Sequence, residues 1–343
     1  MRAVPNPTLR DVADAAGVHP ATASRALNAN TRALVNAETA RRVLRVAEQL
    51  GYRPNPIARG LKTAKSATIG LVIPDLTNPL FPPIVRGVED ALEEAGYTAL
   101  IVNTDGDPER ERTLVESLRS RQVEGLVIAT ALVHHPLLEE LQRSDIPMVM
   151  VNRRAEGIEA PYVGPDDAAG IELAVRHLAQ LGHRRIAHVA GPATTSTGVA
   201  RARAFGGAVR ELGLDHGPEL MVTCTQWTEG AGAAGLRQLL DGTEGVTAVV
   251  AGNDLIALGC YDVCAERRID CPDELSIVGF NDMPFLDKLR PPLTTVSVPN
   301  TQIGTDAARL LLEALHGTDR SARSVLLPTS LVERGSTAPP GGR

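Results

Sequence analysis

From Ala67 to about residue 281 the chain repeats one pattern: a short, almost wholly apolar run, then a longer amphipathic stretch. The runs are TIGLVIP, YTALIVN, VEGLVIA, IPMVMVN, YVGPD, RIAHVAG, TAVVAGN and LSIVGFN, and stretches such as IVRGVEDALEEAG and DAAGIELAVRHLAQLG lie between them. Strands this apolar need cover on both faces, and alternating helices supply it, so the pattern predicts parallel sheets sandwiched by helices. Two successive series of runs predict two doubly wound α/β halves. A length of 343 residues and 43% hydrophobic content suit more than one compact domain.

The first 65 residues lack this pattern and differ in charge. They carry eleven Lys/Arg against four Asp/Glu, a net of +7, so the rest of a chain whose total is −6 carries −13. A small basic module beside a large acidic one points to a polyanion-binding head on an acidic body. Within the head, Thr8 with Asp11 three residues on forms a capping pattern. Leu9, Val12, Ala13 and Ala16 then follow at helical spacing, and Gly17 ends the helix. Pro20 opens a second helix, and a third, capped by Asn36, runs from Ala37 to Leu50 before Gly51. Two short helices about a glycine turn make a helix-turn-helix, whose second helix enters the DNA major groove. Pro20, Ala21, Thr22, Ser24 and Arg25 combine small residues for close approach with side chains that reach base edges.

Next comes GYRPNPIARGLKTAK. Asn55 and Pro56 are fitted to start a short helix over residues 57–61, marginal by itself and able to order on DNA. Leu61 beside Lys62 suits an apolar wedge in a minor groove with a cation near phosphate.

TLRDVADAAGV, ATASRALN, GYRPNPIARGLKT and IGLVIPDLTNPLF resemble the LacI/GalR family of bacterial transcription regulators, and the likeness runs from Thr8 to about Glu333. The resemblance implies a homodimer on a near-palindromic operator, hinge helices that order on DNA, and a leucine wedge at Leu61. It adds Thr8 and Asn28 to the DNA-facing set. The implied architecture is an all-α helix-turn-helix head over residues 1–53, a hinge helix within 54–66, and an α/β two-lobe body resembling periplasmic sugar-binding proteins over 67–334. The chain would cross between lobes near Pro165, Pro291 and Ser321–Ser324. That gives an N-terminal lobe of 67–165 plus 292–322, a C-terminal lobe of 166–291 plus 323–334, and a disordered tail at 335–343.

Ligands of open α/β sheets sit beyond the C-terminal strand ends. Those ends carry Phe81, Asn152-Arg153-Arg154, Thr197 with Arg201, the single tryptophan Trp227, Asn253 with Asp254, and Asn281 with Asp282. An aromatic face with convergent polar groups holds a small polar ligand such as a sugar or nucleoside. The resemblance places Phe81, Asn152, Arg201, Trp227, Asn253 and Asn281 against the effector; Thr197 joins them from its strand-end position. This chain departs from the family at Asn281, where aspartate is frequent, and at His19, where a serine or threonine usually caps the recognition helix, so that the cap is weaker or comes from the imidazole. Pro20 and Ala21 stand at positions that vary with operator choice, and the loop after Asn28 is about two residues longer than usual.

Other classes share fragments of this pattern. GAGAAG at 230–235 satisfies G-x-G-x-x-G but stands five residues beyond its strand, unlike a dinucleotide site. Cys260 and Cys264 fall four apart on an apolar helix, a core spacing, and His134-His135 has no partners for a metal. No nucleophile, Walker or zinc-protease motif occurs, so neither enzyme chemistry nor a cofactor or metal is expected. A transport-type solute-binding protein would share the body, but the basic head and the absence of an apolar leader argue for a cytoplasmic regulator outside any membrane. Cys224, Cys260, Cys264 and Cys271 are expected to be reduced, and no C-terminal leucine heptad suggests assembly beyond a dimer.

Overall fold

The computed structural model describes residues 7–28, 31–52, 66–144, 146–317 and 322–341. Asn55, Leu61 and Lys62 of the expected hinge lie outside the described residues. The chain divides into two compact units, residues 1–66 and 67–343, each described by itself below.

The first unit is helical. Helix α1 (Leu9–Ala15) starts with a reciprocal capping box: Asp11 N–H donates to Thr8 Oγ1 at 3.3 Å, and Thr8 N–H donates to Asp11 Oδ2 at 2.7 Å. Gly17, at φ +63°, makes the left-handed turn that reverses the chain. Helix α2 (Pro20–Leu27) has proline in its first turn, and α3 (Ala37–Leu50) is capped by Asn36, which accepts from Glu38 N–H at 2.9 Å. Alanines dominate the shared core, with Ala13, Ala23 and Ala26 fully buried beside Val12 and Val43. Such small side chains let α2 sit close to its two partners while its other face stays open.

The second unit holds two six-stranded sheets. In chain order the first half contributes β1 (Thr68–Ile73), α4 (Phe81–Glu94), β2 (Thr98–Asn103), α5 (Pro108–Ser120), β3 (Gly125–Ile128), α6 (Pro136–Gln142), β4 (Met148–Val151) and β5 (Tyr162–Pro165). The second half contributes α7 (Asp167–Gln180), β6 (Ile186–Ala190), α8 (Ser196–Glu211), β7 (Met221–Thr223), α9 (Glu229–Gly242), β8 (Ala248–Ala251), α10 (Asp254–Arg267), β9 (Ser276–Asn281) and β10 (Thr294–Ser297). Helix α11 (Asn300–His316), β11 (Ser324–Leu327) and β12 (Ser330–Val332) close the fold. The sheet orders are β11-β5-β4-β3-β1-β2 and β12-β10-β9-β8-β6-β7. All pairings are parallel except β10 with β12. Both sheets therefore reverse direction of winding at equivalent places, between β1 and β3 and between β6 and β8, where a crevice opens at the strand ends.

Matching helix pairs cover the sheets at close range through glycine. A Cβ on Gly304 of α11 would stand 2.0 Å from Ile84 O of α4, and one on Gly87 would stand 1.9 Å from Thr301 O. In the second half a Cβ on Gly259 of α10 would stand 2.0 Å from Glu229 O, and one on Gly232 of α9 would stand 2.4 Å from Ile256 O. The G-x-G-x-x-G match thus lies in a helix whose Gly232 faces α10 and whose Gly235 faces Val189. Its glycines serve helix packing.

Three expectations about the lobes need correction. The second crossing is not near Pro291: β10 pairs with β9 in the C-terminal lobe, so residues 292–298 belong there and the chain crosses at Val298–Pro299. The third is not at Ser321–Ser324, because β11 pairs with β5 and keeps residues 323–327 in the N-terminal lobe, the crossing following Leu327. The segment from residue 335 is not a disordered tail. Ser336 is fully buried; its Oγ accepts from Thr294 N–H at 2.8 Å and donates to Ile277 O at 2.6 Å, and its own carbonyl accepts from Ile277 N–H at 2.8 Å. Composition alone reads such a Pro/Gly/Ser-rich segment as disordered. Here backbone and hydroxyl bonds hold it on the sheet.

Candidate functional site

On the head, α2 buries Ala23 and Ala26 and leaves Ala21 and Arg25 exposed, with Pro20, Thr22, Ser24 and Asn28 half-buried. His19 supplies the cap expected of a hydroxyl residue: Ala21 N–H donates to His19 Nδ1 at 3.2 Å, so the ring proton sits on Nε2. The far end of α2 is closed by the loop after Asn28. Thr31 Oγ1 donates to Arg25 O at 3.1 Å and Arg32 Nε donates to Ala26 O at 3.0 Å. Arg42 likewise donates to Ala16 O of α1 at 3.0 Å. These arginines serve the helix ends, whereas the Arg25 side chain makes no hydrogen bond or ion pair among the described residues. Thr8 commits its hydroxyl to the α1 cap, donating to Asp11 Oδ2 at 2.8 Å; the Thr8 N–H bond to that carboxylate first, and this hydroxyl bond second, hold the Asp11 carboxyl below its ordinary range.

The body carries a narrow cleft between its lobes, lined by Asn78, Leu80, Asn152, Arg153, Thr197, Arg201, Trp227, Asn253 and Asn281. The lobes meet across it: Arg154 N–H donates to Ser196 Oγ at 3.0 Å, and Val133 N–H donates to Thr194 O at 2.9 Å. Six of the seven expected effector residues converge here. The exception is Phe81, which is 1% exposed and packs in the core. As the first residue of α4 it turns its ring toward the sheet, and the preceding loop offers Asn78 and Leu80 to the cleft instead.

Arg201 is the most tightly held group. It is 2% exposed, donates from Nε to Asp167 Oδ1 at 2.7 Å and from Nη1 to Gly252 O at 2.7 Å, and lies 3.6 Å over the Phe280 ring. Burial raises the Asp167 carboxyl above its ordinary pKa even though Arg201 opposes the shift. Beneath the site, His188 donates from Nδ1 to Val250 O at 2.7 Å and stacks on Phe205; burial pushes its pKa down to about 4, so it is neutral near pH ~7. Asn253 caps α10 by accepting from Ile256 N–H at 2.9 Å. The Trp227 ring closes over Gly191, where a Cβ would stand 2.0 Å from Cη2. Only glycine lets the indole settle there.

Asn78, Leu80 and Arg153 were not among the expected contacts. Arg153 belonged to a strand end already marked, but its direction depends on Asn152 adopting φ +60°, which the sequence pattern does not signal. Three lining residues carry buried polar atoms with no protein partner: Arg153 Nε, Trp227 Nε1 and Asn281 Oδ1. Buried polar atoms are partnered in the great majority of cases. Three orphans around one cavity mark it as a place where something else completes the bonding.

A helix-turn-helix head and a two-lobe, periplasmic-binding-type body define a DNA-binding regulatory protein. Residues 8–55 match the bacterial regulatory proteins of the lacI family, and residues 175–337 match the periplasmic binding protein-like domain. The chain is 39% identical to an uncharacterized HTH-type transcriptional regulator in the aml 5′ region of Streptomyces limosus, over 98% of this chain and 96% of that protein. Its fold is similar to that of the Lac repressor dimer bound to operator and the anti-inducer ONPF (TM-score 0.87, 26% identity, covering 97% of this chain and 100% of that one). It is also similar to that of the transcriptional regulator CelR in complex with cellobiose (TM-score 0.75, 30% identity, 96% and 99%). The chain belongs to the LacI family and is a DNA-binding transcriptional regulator.

Proposed function

We propose that this chain is a repressor that binds a near-palindromic operator as a homodimer, with a small sugar or sugar-like metabolite in the inter-lobe cleft controlling DNA affinity. The observation that carries the effector half is the set of orphaned buried atoms on Arg153, Trp227 and Asn281 around one inter-lobe cleft. The similarity to a regulator in complex with cellobiose supports a sugar-like occupant. The similarity to a repressor dimer on its operator supports the DNA half.

In this reading α2 lies in the major groove, with Pro20, Ala21, Thr22, Ser24 and Arg25 at the bases and Asn28 nearby. Arg25 is the group free to take guanine O6 and N7. Thr8 positions α1 beside the backbone through its cap. Asn55, Leu61 and Lys62 form the hinge contact in the minor groove. In the cleft Trp227 stacks on the ligand, Arg201 and Arg153 bond its oxygens, and Asn152, Thr197, Asn253 and Asn281 set its orientation. Phe81 supports Leu80 from behind. A ligand touching both lobes favours their closed arrangement, and the three crossings near Pro165, Pro299 and Leu327 carry the movement. Coupling of this kind is typically about 1–3 kcal/mol.

No bound cofactor or metal and no catalysis enter this scheme. Among the described residues no helix is long and apolar enough to cross a membrane, and no His/Cys/Asp/Glu group is arranged to hold a metal ion. We place the protein in the cytoplasm, with its operator. The test is operator binding by fluorescence anisotropy at fixed salt. Leu61→Ala is expected to weaken binding to a palindromic operator; unchanged affinity would refute the hinge contact.

A further inference from the structure

The charge of the cleft wall is unbalanced. Asn78, Asn152, Asn253 and Asn281 offer neutral amides, Thr197 a hydroxyl, and Arg153 and Arg201 two guanidiniums. One carboxylate answers them: Asp167, which is bound to Arg201. The other acids nearby are already engaged. Asp254 bonds Thr295 Oγ1 and Met283 N–H, Asp282 pairs with Arg334 at 2.7 Å, and Asp166 caps α7 through Ala169 N–H. Arg153 has no ion pair among the described residues, its residue is only 9% exposed, and its Nε is an orphan. Burial, with repulsion from Arg201, pushes its pKa down to about 10, yet it stays a cation at neutral pH.

An isolated buried charge is strongly unfavourable unless something compensates it. Sugar hydroxyls supply hydrogen bonds but no charge, and the wall already has four amides able to bond hydroxyls. A guanidinium instead matches the planar or trigonal oxygens of carboxylate and phosphate. Aspartate at position 281 would have neutralised the excess from the protein side; the residue there is Asn281, with its Oδ1 unpartnered.

We infer that the effector is a small polyhydroxylated acid whose carboxylate or phosphate group sits on Arg153. The inference rests on the effector-binding reading of the cleft and narrows its ligand class. Hydroxyls of the same molecule meet Asn281, Asn253 and Asn152, and its less polar face meets Trp227.

The test uses the full chain and matched probes in calorimetry: glucose against gluconate and glucose 6-phosphate, galactose against galacturonate, ribose against ribose 5-phosphate. In at least one series an acid is expected to bind roughly 30-fold or more tightly than its neutral parent. The carboxylate and phosphate arms tell which oxyanion is read. Arg153→Gln is expected to erase that preference while the thermal midpoint and far-ultraviolet circular dichroism show an intact fold, and Arg153→Lys to retain part of it. A neutral sugar binding as well as its acid, or an Arg153→Gln variant that keeps the acid preference, overturns the inference and leaves the cleft reading standing. If the variants do not fold, the wild-type comparison within each series decides. Binding by no probe at millimolar concentration, in protein that still binds operator, overturns the cleft reading and this inference together.

Discussion

Replacing Arg201 by methionine tests the electrostatics of the cleft most sharply. The substitution roughly preserves length and apolar contact with Phe280 but removes the donors to Asp167 and Gly252 O, both at 2.7 Å. Asp167 is then a carboxylate with a 9% exposed side chain and no cation bonded to it. Breaking a buried pair from one side typically destabilises by about 3–5 kcal/mol. The loss should depend on pH. Burial already holds the Asp167 pKa above its ordinary 3.8 in the presence of Arg201, and without the guanidinium it rises further. The native state of the variant then binds a proton that the unfolded chain releases above its ordinary carboxylate range. Its stability therefore falls as pH rises through that window, by up to about 1.4 kcal/mol per pH unit. Urea unfolding from about pH 5 to about pH 8 should show the variant least impaired at the acid end, where only the pH-independent loss at Gly252 O remains, and most impaired at the alkaline end. Arg201→Met combined with Asp167→Asn should lose that extra slope. An equal loss at every pH, or the same slope in single and double variants, would refute the reasoning.

Three other predictions follow from the packing and the head. Gly304→Ala drives a methyl to 2.0 Å from Ile84 O and should destabilise the body by about 1–3 kcal/mol in chemical unfolding, whereas Gly207→Ala, with no heavy atom near its added Cβ, should not. Ser336→Ala removes the Oγ that serves Thr294 N–H and Ile277 O and should lower stability by about 1–3 kcal/mol; a neutral result would mean that the C-terminal segment does not hold the sheet. Arg25→Ala should relax base preference at one position per half-site, worth about 1–3 kcal/mol in a competition with operator variants; equal weakening on every sequence would assign Arg25 to phosphate.

How much of this was legible in the sequence depended on whether hydrophobic pattern alone specified an element. Strands β1, β3, β4, β6, β8 and β9 were visible because each is buried throughout, save the first residue of β1, and reads as an apolar run. Strand β10 is buried over its first three residues, but it reads TTVS, and its threonines are satisfied by Asp254 and the Arg334 N–H rather than by apolar neighbours. Missing it displaced the second lobe crossing. Short β11, exposed on part of its length, displaced the third. In the cleft, Thr197, Arg201, Trp227, Asn253 and Asn281 were visible as polar or aromatic groups just past strand ends. Arg153 required the positive φ at Asn152, and the fate of Phe81 required knowing which way the first turn of α4 faces. The alanine-rich helix α2 was legible through Pro20 and the hydroxyls, and of the two readings at His19, a weaker cap or one from the imidazole, the ring geometry selects the imidazole.

In the proposed scheme the head and the cleft are thermodynamically linked. The direct measurement is a paired titration: operator affinity with and without a saturating effector, and effector affinity with and without saturating operator, at one salt concentration. Both affinities should change by the same factor, about 5- to 150-fold, because coupling free energy is reciprocal. An effector that fills the cleft and leaves operator affinity unchanged would contradict it.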